Sequence, residues 1–302
     1  MLAPMGVGSR RILVAVALAS ALGIVAQASS ADGPPLSNGP DTALPPDASV
    51  FVVPVQGGVA RLVTPGQELA FDPEWRPGTR SLVVVTEGGV VKLRARAGLP
   101  SWERRRTLHR EVVWSPSFSP DGTKLAFVGG FPSDIEILTL ATGAIRHVTR
   151  SWHADGFVDW AASGRELAVT RRGSILRMSL NGRVLQTLLP EPSTCFGPAW
   201  APRGGRVAFA CLSPELSVHL GSPRLGGPYT SLTNGEPPSA FPAWSPDGGQ
   251  LAYSKFVDGS WDLFVRDVKT RRERRLLRTP YDELDPAWSP DGRLLAYVSN
   301  AP

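Results

Sequence analysis

Short apolar runs recur along the chain at a fixed distance behind an aromatic residue. The aromatics are Trp75, Phe118, Trp160, Trp200, Trp244 and Trp288. Seven places after each stands Leu82, Leu125, Leu167, Val207, Leu251 or Leu295, and the next two positions are apolar as well, from Val83-Val84 to Ala296-Tyr297. A short continuous apolar run between turn residues predicts a strand buried on both faces. Further runs follow, clearest in Ile135-Glu136-Ile137-Leu138, Ile175-Leu176-Arg177-Met178 and Leu263-Phe264-Val265-Arg266-Asp267, and then a more polar one such as Ile145-Arg146-His147-Val148-Thr149. These predict a third and a fourth strand in each unit, and no helical period is evident after residue 30.

The anchors follow one another at steps of 43, 42, 40, 44 and 44 residues. A period of roughly 40–45 residues suits one four-stranded propeller blade. The cleanest copies read Pro242-Ala243-Trp244-Ser245-Pro246-Asp247-Gly248 and Pro286-Ala287-Trp288-Ser289-Pro290-Asp291-Gly292. Pro presets the second position of a type I turn, Asp suits the third, and Gly takes φ > 0 at the fourth, which closes a tight hairpin. The fold expected is all-β: a six-bladed propeller of four-stranded antiparallel blades. The last repeat stops after two strands, at Tyr297-Val298-Ser299-Asn300, while Val50–Val55 and Val59–Thr64 read as a third and a fourth strand with no repeat of their own. Residues 49–64 are therefore expected to pair with residues 286–300 and complete the sixth blade, removing an open edge.

The first residues read differently. Arg10-Arg11 precede an apolar run from Ile12 to Val25 and then Ala26-Gln27-Ala28. This is the pattern of a signal peptide over residues 1–28, cleaved after Ala28, and the run is short for a membrane anchor. Residues 29–48 read as a Pro/Gly-rich tether and 49–302 as the propeller. The expectation is an exported, periplasmic or extracellular monomer with no integral membrane segment in the mature chain.

Without residues 1–28 the 32 Lys and Arg fall to 30 against 27 acids. That balance is too mild to imply a nucleic acid partner. The basic runs Arg104-Arg105-Arg106 and Arg271-Arg272-Glu273-Arg274-Arg275 fall on predicted outermost strands. They read first as charged edges that discourage pairing between molecules, and alternatively as a site for an anionic partner. Cys195 and Cys211 are the only cysteines and stand equidistant from a turn centred on Arg203. In an exported chain this favours a disulfide across two strands; two separate buried thiols are the alternative.

The Pro-Ala-Trp-Ser-Pro-Asp-Gly copies, with the Leu-Ala-Tyr that follows each and Leu263–Asp267 behind, resemble the repeat of TolB-like (WD40-like) β-propellers over residues 49–300. Phe118-Ser119-Pro120-Asp121-Gly122 is a good third copy, and Trp160-Ala161-Ala162-Ser163-Gly164 has drifted. The resemblance implies a non-enzymatic module that binds partner proteins of the cell envelope. TolB itself has an α/β domain ahead of its propeller where this chain has only the tether, which leaves a role in the Tol–Pal system open. Similar propellers also stand before the catalytic domain of prolyl-oligopeptidase-type peptidases.

Candidate chemistry is sparse. There is no Gly-x-Ser-x-Gly nucleophile elbow, no His-Glu-x-x-His and no Gly-rich phosphate loop, so neither a cofactor nor a metal is expected. Of the four histidines, His147 and His219 fall in predicted strands, and His153 lies in a loop with Trp152 and Asp155. Asp72 and Asp285 occupy one slot, three residues before their anchors. A structural role is favoured there over acid/base chemistry. The third and fourth places before the anchors also hold an aromatic in five repeats: Phe71, Trp114, Phe157, Phe196 and Phe241. Near one mouth of the channel these residues, with Asp72, Asp155, Asp285, Trp152 and His153, could form a partner-binding set; extra core between blades is the competing reading. The function expected is binding or scaffolding of a protein partner or other envelope ligand. The alternatives are a carbohydrate-active hydrolase or lyase using channel carboxylates, and a gating propeller that works with a separately encoded peptidase.

Overall fold

Each apolar run behind an anchor becomes the second strand of a four-stranded antiparallel sheet, and six such sheets stand around one axis. A computed structural model describes residues 48–64, 69–95, 102–111, 113–130, 133–150, 155–189, 193–212, 215–222, 229–234 and 237–302. The signal-like segment and all of the tether before Ala48 lie outside these residues, as do Trp152 and His153. Among the described residues no helix is long and apolar enough to cross a membrane.

The described residues begin in the blade that closes the ring, with β1 (Ser49–Pro54) and β2 (Arg61–Leu62). Blade 1 holds β3 (Ala70–Trp75), β4 (Ser81–Thr86), β5 (Gly89–Ala95) and β6 (Trp102–His109). Blade 2 holds β7 (Trp114–Phe118), β8 (Lys124–Gly129), β9 (Asp134–Thr139) and β10 (Ile145–His147). Blade 3 holds β11 (Asp155–Trp160), β12 (Glu166–Arg171), β13 (Ser174–Ser179) and β14 (Val184–Leu189). Blade 4 holds β15 (Cys195–Trp200), β16 (Val207–Leu212), β17 (Leu216–Gly221) and β18 (Thr230–Ser231). Blade 5 holds β19 (Ser239–Trp244), β20 (Gln250–Val257), β21 (Ser260–Asp267) and β22 (Glu273–Arg275). Blade 6 has β23 (Glu283–Trp288) and β24 (Leu294–Ser299), completed in the order β2-β1-β24-β23. The closure pairs Ser49 with Ser299 through to Pro54 with Leu294.

The hairpin turns owe their shape to the residues read above. Gly122, Gly248 and Gly292 take φ of +65°, +70° and +70°, the left-handed values that Gly adopts without a steric penalty. In each, Ser Oγ donates to Asp Oδ1 at 2.6–2.7 Å, and the same oxygen accepts the backbone N–H of Thr123, Gly249 or Arg293. These bonds hold the Asp121 carboxyl down at about pKa 2. The first repeat turns differently: in Arg76-Pro77-Gly78-Thr79 it is Gly78 that has φ +67°, one place earlier, as a type II turn requires.

Second strands are buried on both faces, and every residue of β4 is buried. The anchor rings fill the gaps between blades. Trp244 Nε1 donates to Ala199 O and Trp288 Nε1 to Ala243 O, each on the inner strand of the preceding blade. Cys195 stands opposite Cys211 in the register of β15 and β16, and their sulfurs are bonded. For a closed loop of about 15 residues, chain entropy gives ~3 kcal/mol of stabilisation. Their separation here is 16. The Cys195→Ser/Cys211→Ser protein should therefore melt lower, by about 2–4 °C per kcal/mol in domains of comparable size. Calorimetry with and without reductant checks this; equal melting temperatures would mean that the hairpin alone supplies the constraint.

Candidate functional site

The first strand of each blade lines the central channel, and each carries the same irregularity. The register slips between Phe71 and Glu74, Trp114 and Ser117, Asp155 and Val158, Phe196 and Ala199, Ala240 and Ala243, and Leu284 and Ala287. One extra residue per inner strand makes a β-bulge, which re-aims the side chains beside it. In five blades the residue three before the anchor takes positive φ: Asp72 +46°, Ser115 +51°, Gly197 +57°, Phe241 +54° and Asp285 +53°.

The bulges open a cavity of about 350 Å3 along the axis. Its wall is divided. One arc, running from blade 6 through blades 1 and 2 into blade 3, presents Asp285, Asp72, Glu74, Ser115, Ser117 and Asp159. The other presents Phe157, Ala199, Ala243 and Ala287. The polar arc joins the blades. Ser115 N donates to Asp72 Oδ2 at 2.7 Å, and Phe118 N reaches Glu74 Oε1 at 3.4 Å. Val158 N donates to Ser115 Oγ, Trp160 N to Ser117 Oγ, and Ser117 Oγ to Asp159 Oδ1 at 2.7 Å. Asp159 Oδ2 accepts Trp200 N at 2.7 Å. Each bond runs from one blade to the next.

Burial among protein atoms raises all four carboxyls, which keep only a narrow contact with the channel. Asp72 and Asp159 are pushed up to about 6. Glu74 rises to about 8, by burial first and then by the charge of Asp159. Asp285 rises well above the usual carboxylate range, by burial and by the facing Asp72. Asp72 and Asp285 hydrogen-bond to each other, so one proton between them relieves two like charges in contact. Direct contact is closer than the roughly 5–9.5 Å that separates the carboxyls of glycosidases.

The structure does not bring Asp155 to this pair. Asp155 is buried, holds Arg171 through both oxygens at 2.7 and 3.2 Å, and accepts Thr149 Oγ1. Phe157, Phe196 and Phe241 do come together, with successive ring centroids 5.9 Å apart. Phe196 is buried within this trio, while Phe157 and Phe241 are half-buried. Phe71 is buried in the core, and the half-buried Trp114 donates Nε1 to Gly156 O in blade 3. His147 and His219 lie in β10 and β17. Among the described residues no group of three or more His, Cys, Asp or Glu is placed to hold a metal ion. The residues that the sequence reading missed are Glu74 and Asp159. Their signal is a slot one place before the anchor, where three other repeats carry Ala199, Ala243 and Ala287.

A ring of six blades, closed by strands from both ends of the chain around a bulge-lined channel, defines the protein as a six-bladed β-propeller. The same fold is found in TolB-type propellers. A TolB-designated protein from Agrobacterium tumefaciens superposes with a TM-score of 0.71 at 21% identity, over 85% of this chain and 99% of that one. TolB from Acinetobacter baumannii gives 0.65 at 18% identity, over 82% of this chain and 68% of that one. An oligogalacturonate lyase solved in complex with manganese gives 0.54 at 14% identity, over 85% and 92%. At these identities the likeness is one of fold. At the level of sequence, no protein-family model and no curated protein matches the chain.

Proposed function

We propose that the protein is an exported, non-catalytic ring that captures a protein partner of the cell envelope at the channel mouth. The observation that carries the reading is Phe241. A bulky residue at φ +54° is held in a conformation that costs about 1–3 kcal/mol, and the equivalent slot in blade 4 is filled without strain by Gly197. The ring keeps this half-buried aromatic against Phe196, which in turn meets Phe157 of the channel wall that also carries Asp72 and Asp285. An aromatic anchor with polar neighbours on a rigid frame is what a binding hot spot needs, and a frame that does not reorganise loses little order on docking. The signal-like residues 1–28 and the TolB-type fold support export and an envelope partner. Support for a non-catalytic role comes from Asp72 and Asp159, which spend oxygens on backbone N–H groups of the next blade.

The test is affinity capture from the native envelope by the parent and by Phe241→Gly, followed by titration of the captured protein. Phe241→Gly removes the strain, so its melting temperature should change little while partner affinity falls about tenfold, ~1.4 kcal/mol. Undiminished affinity would refute the reading.

A further inference from the structure

The two basic runs look alike in sequence and differ in the fold. In blade 5 acids answer Arg275 and two cations beside the run. Arg275 binds Asp258 and Asp262 at 2.7 Å each, and Glu273 takes Lys255 and Arg266. In blade 1 no such set is present among the described side chains. Glu74, Val83, Lys92 and Arg106 stand in one row across the sheet, on the side facing blade 2. Lys92 and Arg106 are directly opposite each other, an arrangement that destabilises a sheet. Arg94 lies two places along on the same face, and Arg76 closes the inner end, its Nε bonded to Gly122 O of blade 2. Arg94 and Arg106 are exposed. Among the side chains described, no carboxylate forms an ion pair with Lys92 or Arg106; by backbone register Glu103 stands opposite Arg94. Burial and the charges of Arg76, Arg94 and Arg106 together lower the pKa of Lys92.

The other blades show what the slot of Lys92 ordinarily holds. Its counterparts on the third strands are Ile137, Leu220, Val265 and Val52, all apolar, and Arg177, which is bidentate to Glu166 at 2.7 Å. The counterparts of Arg106 in blades 2 and 5 are Arg146 and Arg274, each of which donates to a carbonyl of the next blade, at Leu180 and Val55. Blade 1 thus gives up an apolar contact between blades and assembles like charges in its place.

We propose that this face of blade 1 binds an acidic polysaccharide whose carboxylates neutralise Arg76, Lys92, Arg94 and Arg106. Guanidinium groups match carboxylates in paired hydrogen bonds. The face carries no exposed aromatic ring among the described residues, so it lacks the stacking platform that single-stranded nucleic acid uses. Its one inward ring, Phe71, is sealed in the core, so the face offers a protein partner no accessible aromatic anchor among the described residues. A polyuronate holds its carboxylates on rigid sugar rings and loses less side-chain freedom on binding than an acidic peptide does.

The experiment titrates an alginate octasaccharide into the full chain at low and at physiological salt. Binding is expected at low salt and should weaken as salt rises. Lys92→Val/Arg106→Gln should weaken it about tenfold, and Arg271→Gln/Arg272→Gln should not. Lys92→Val alone should raise the melting temperature, because it restores the apolar residue of the other blades, so loss of binding would not reflect loss of fold. The proposal fails if the parent does not bind at low salt, if the double variant binds as tightly as the parent, or if a poly-glutamate peptide of equal length binds as well as the saccharide. A fall in melting temperature for Lys92→Val would overturn its premise.

Discussion

A chain lacking residues 49–64 is expected to lose its cooperative melting transition and to aggregate. β1 is an interior strand of blade 6, paired to β2 on one side and along all six of its residues to β24 on the other. Val50, Phe51, Val52 and Val53 are all buried there. Burying one such side chain is worth about 1.5–3 kcal/mol, so four contribute about 6–12 kcal/mol. The whole stability of a typical protein is about 5–15 kcal/mol. The deletion also bares the edge of β24, whose Leu295, Ala296 and Tyr297 are buried in the intact ring, and an open apolar edge invites pairing between molecules. Calorimetry and near-ultraviolet circular dichroism check this. A truncated chain that melts within a few degrees of the parent would show that the closure contributes little.

The second large effect is on pH dependence. Carboxyls with a raised folded pKa bind protons more tightly in the folded state than in the unfolded one. Their contribution is complete below about pH 4 and is lost as pH rises through the folded values. Those values are about 6 for Asp72 and Asp159 and about 8 for Glu74 and Glu283, the last raised mainly by burial with Asp262 beside it. A tenfold difference in proton affinity between the folded and unfolded chain is worth ~1.4 kcal/mol, so each group contributes on the order of a few kcal/mol. The turn aspartates act oppositely: Asp121, Asp247 and Asp291 are lowered by hydrogen bonds from their own turns, and their contribution is lost as pH falls below about 4. The melting temperature should peak near pH 4–5 and fall steadily towards about pH 9. Glu74→Gln mimics the protonated acid and can still accept Phe118 N–H. It should raise the melting temperature near pH 9 by several degrees and flatten the slope from about pH 6 to 8. A parent protein whose stability is level across this range would contradict the placement of these carboxyls.

Much of the fold was legible because its causes are local. The Ser-Pro-Asp-Gly turns, the apolar runs from Leu82 to Leu295, and the unattached strands at both ends each specify their geometry within a few residues, and the position of Cys195 and Cys211 about one turn specified their pairing. The channel wall was less legible, because the bulge breaks the alternation on which a face assignment depends. Phe71 and Glu74 are three apart, an odd spacing that places them on opposite faces of a regular strand. The extra residue sets both opposite the same face of β4, at Val85 and Val83. This puts Phe71 in the gap towards blade 2, and the same slip turns Trp114 towards blade 3 and Phe196 towards Phe241. Glu74 and Asp159 stood out only against Ala199, Ala243 and Ala287, a comparison that needs the repeats aligned at their anchors. The two arginine runs could not be told apart in sequence, because the acids that answer Arg275 sit elsewhere in blade 5, at Asp258 and Asp262.

Because Ser49 stands opposite Ser299, β1 must wait for β24 before either has its place. Contacts so distant along the chain come late, after the entropy of a very long loop has been overcome. Blades 1 to 5 would be assembled as an open arc, and the two halves of blade 6 would latch it shut in a final event. Any protease that meets the arc before that moment finds β1 and β24 unprotected, so the interval before the latch closes is when the molecule is most vulnerable.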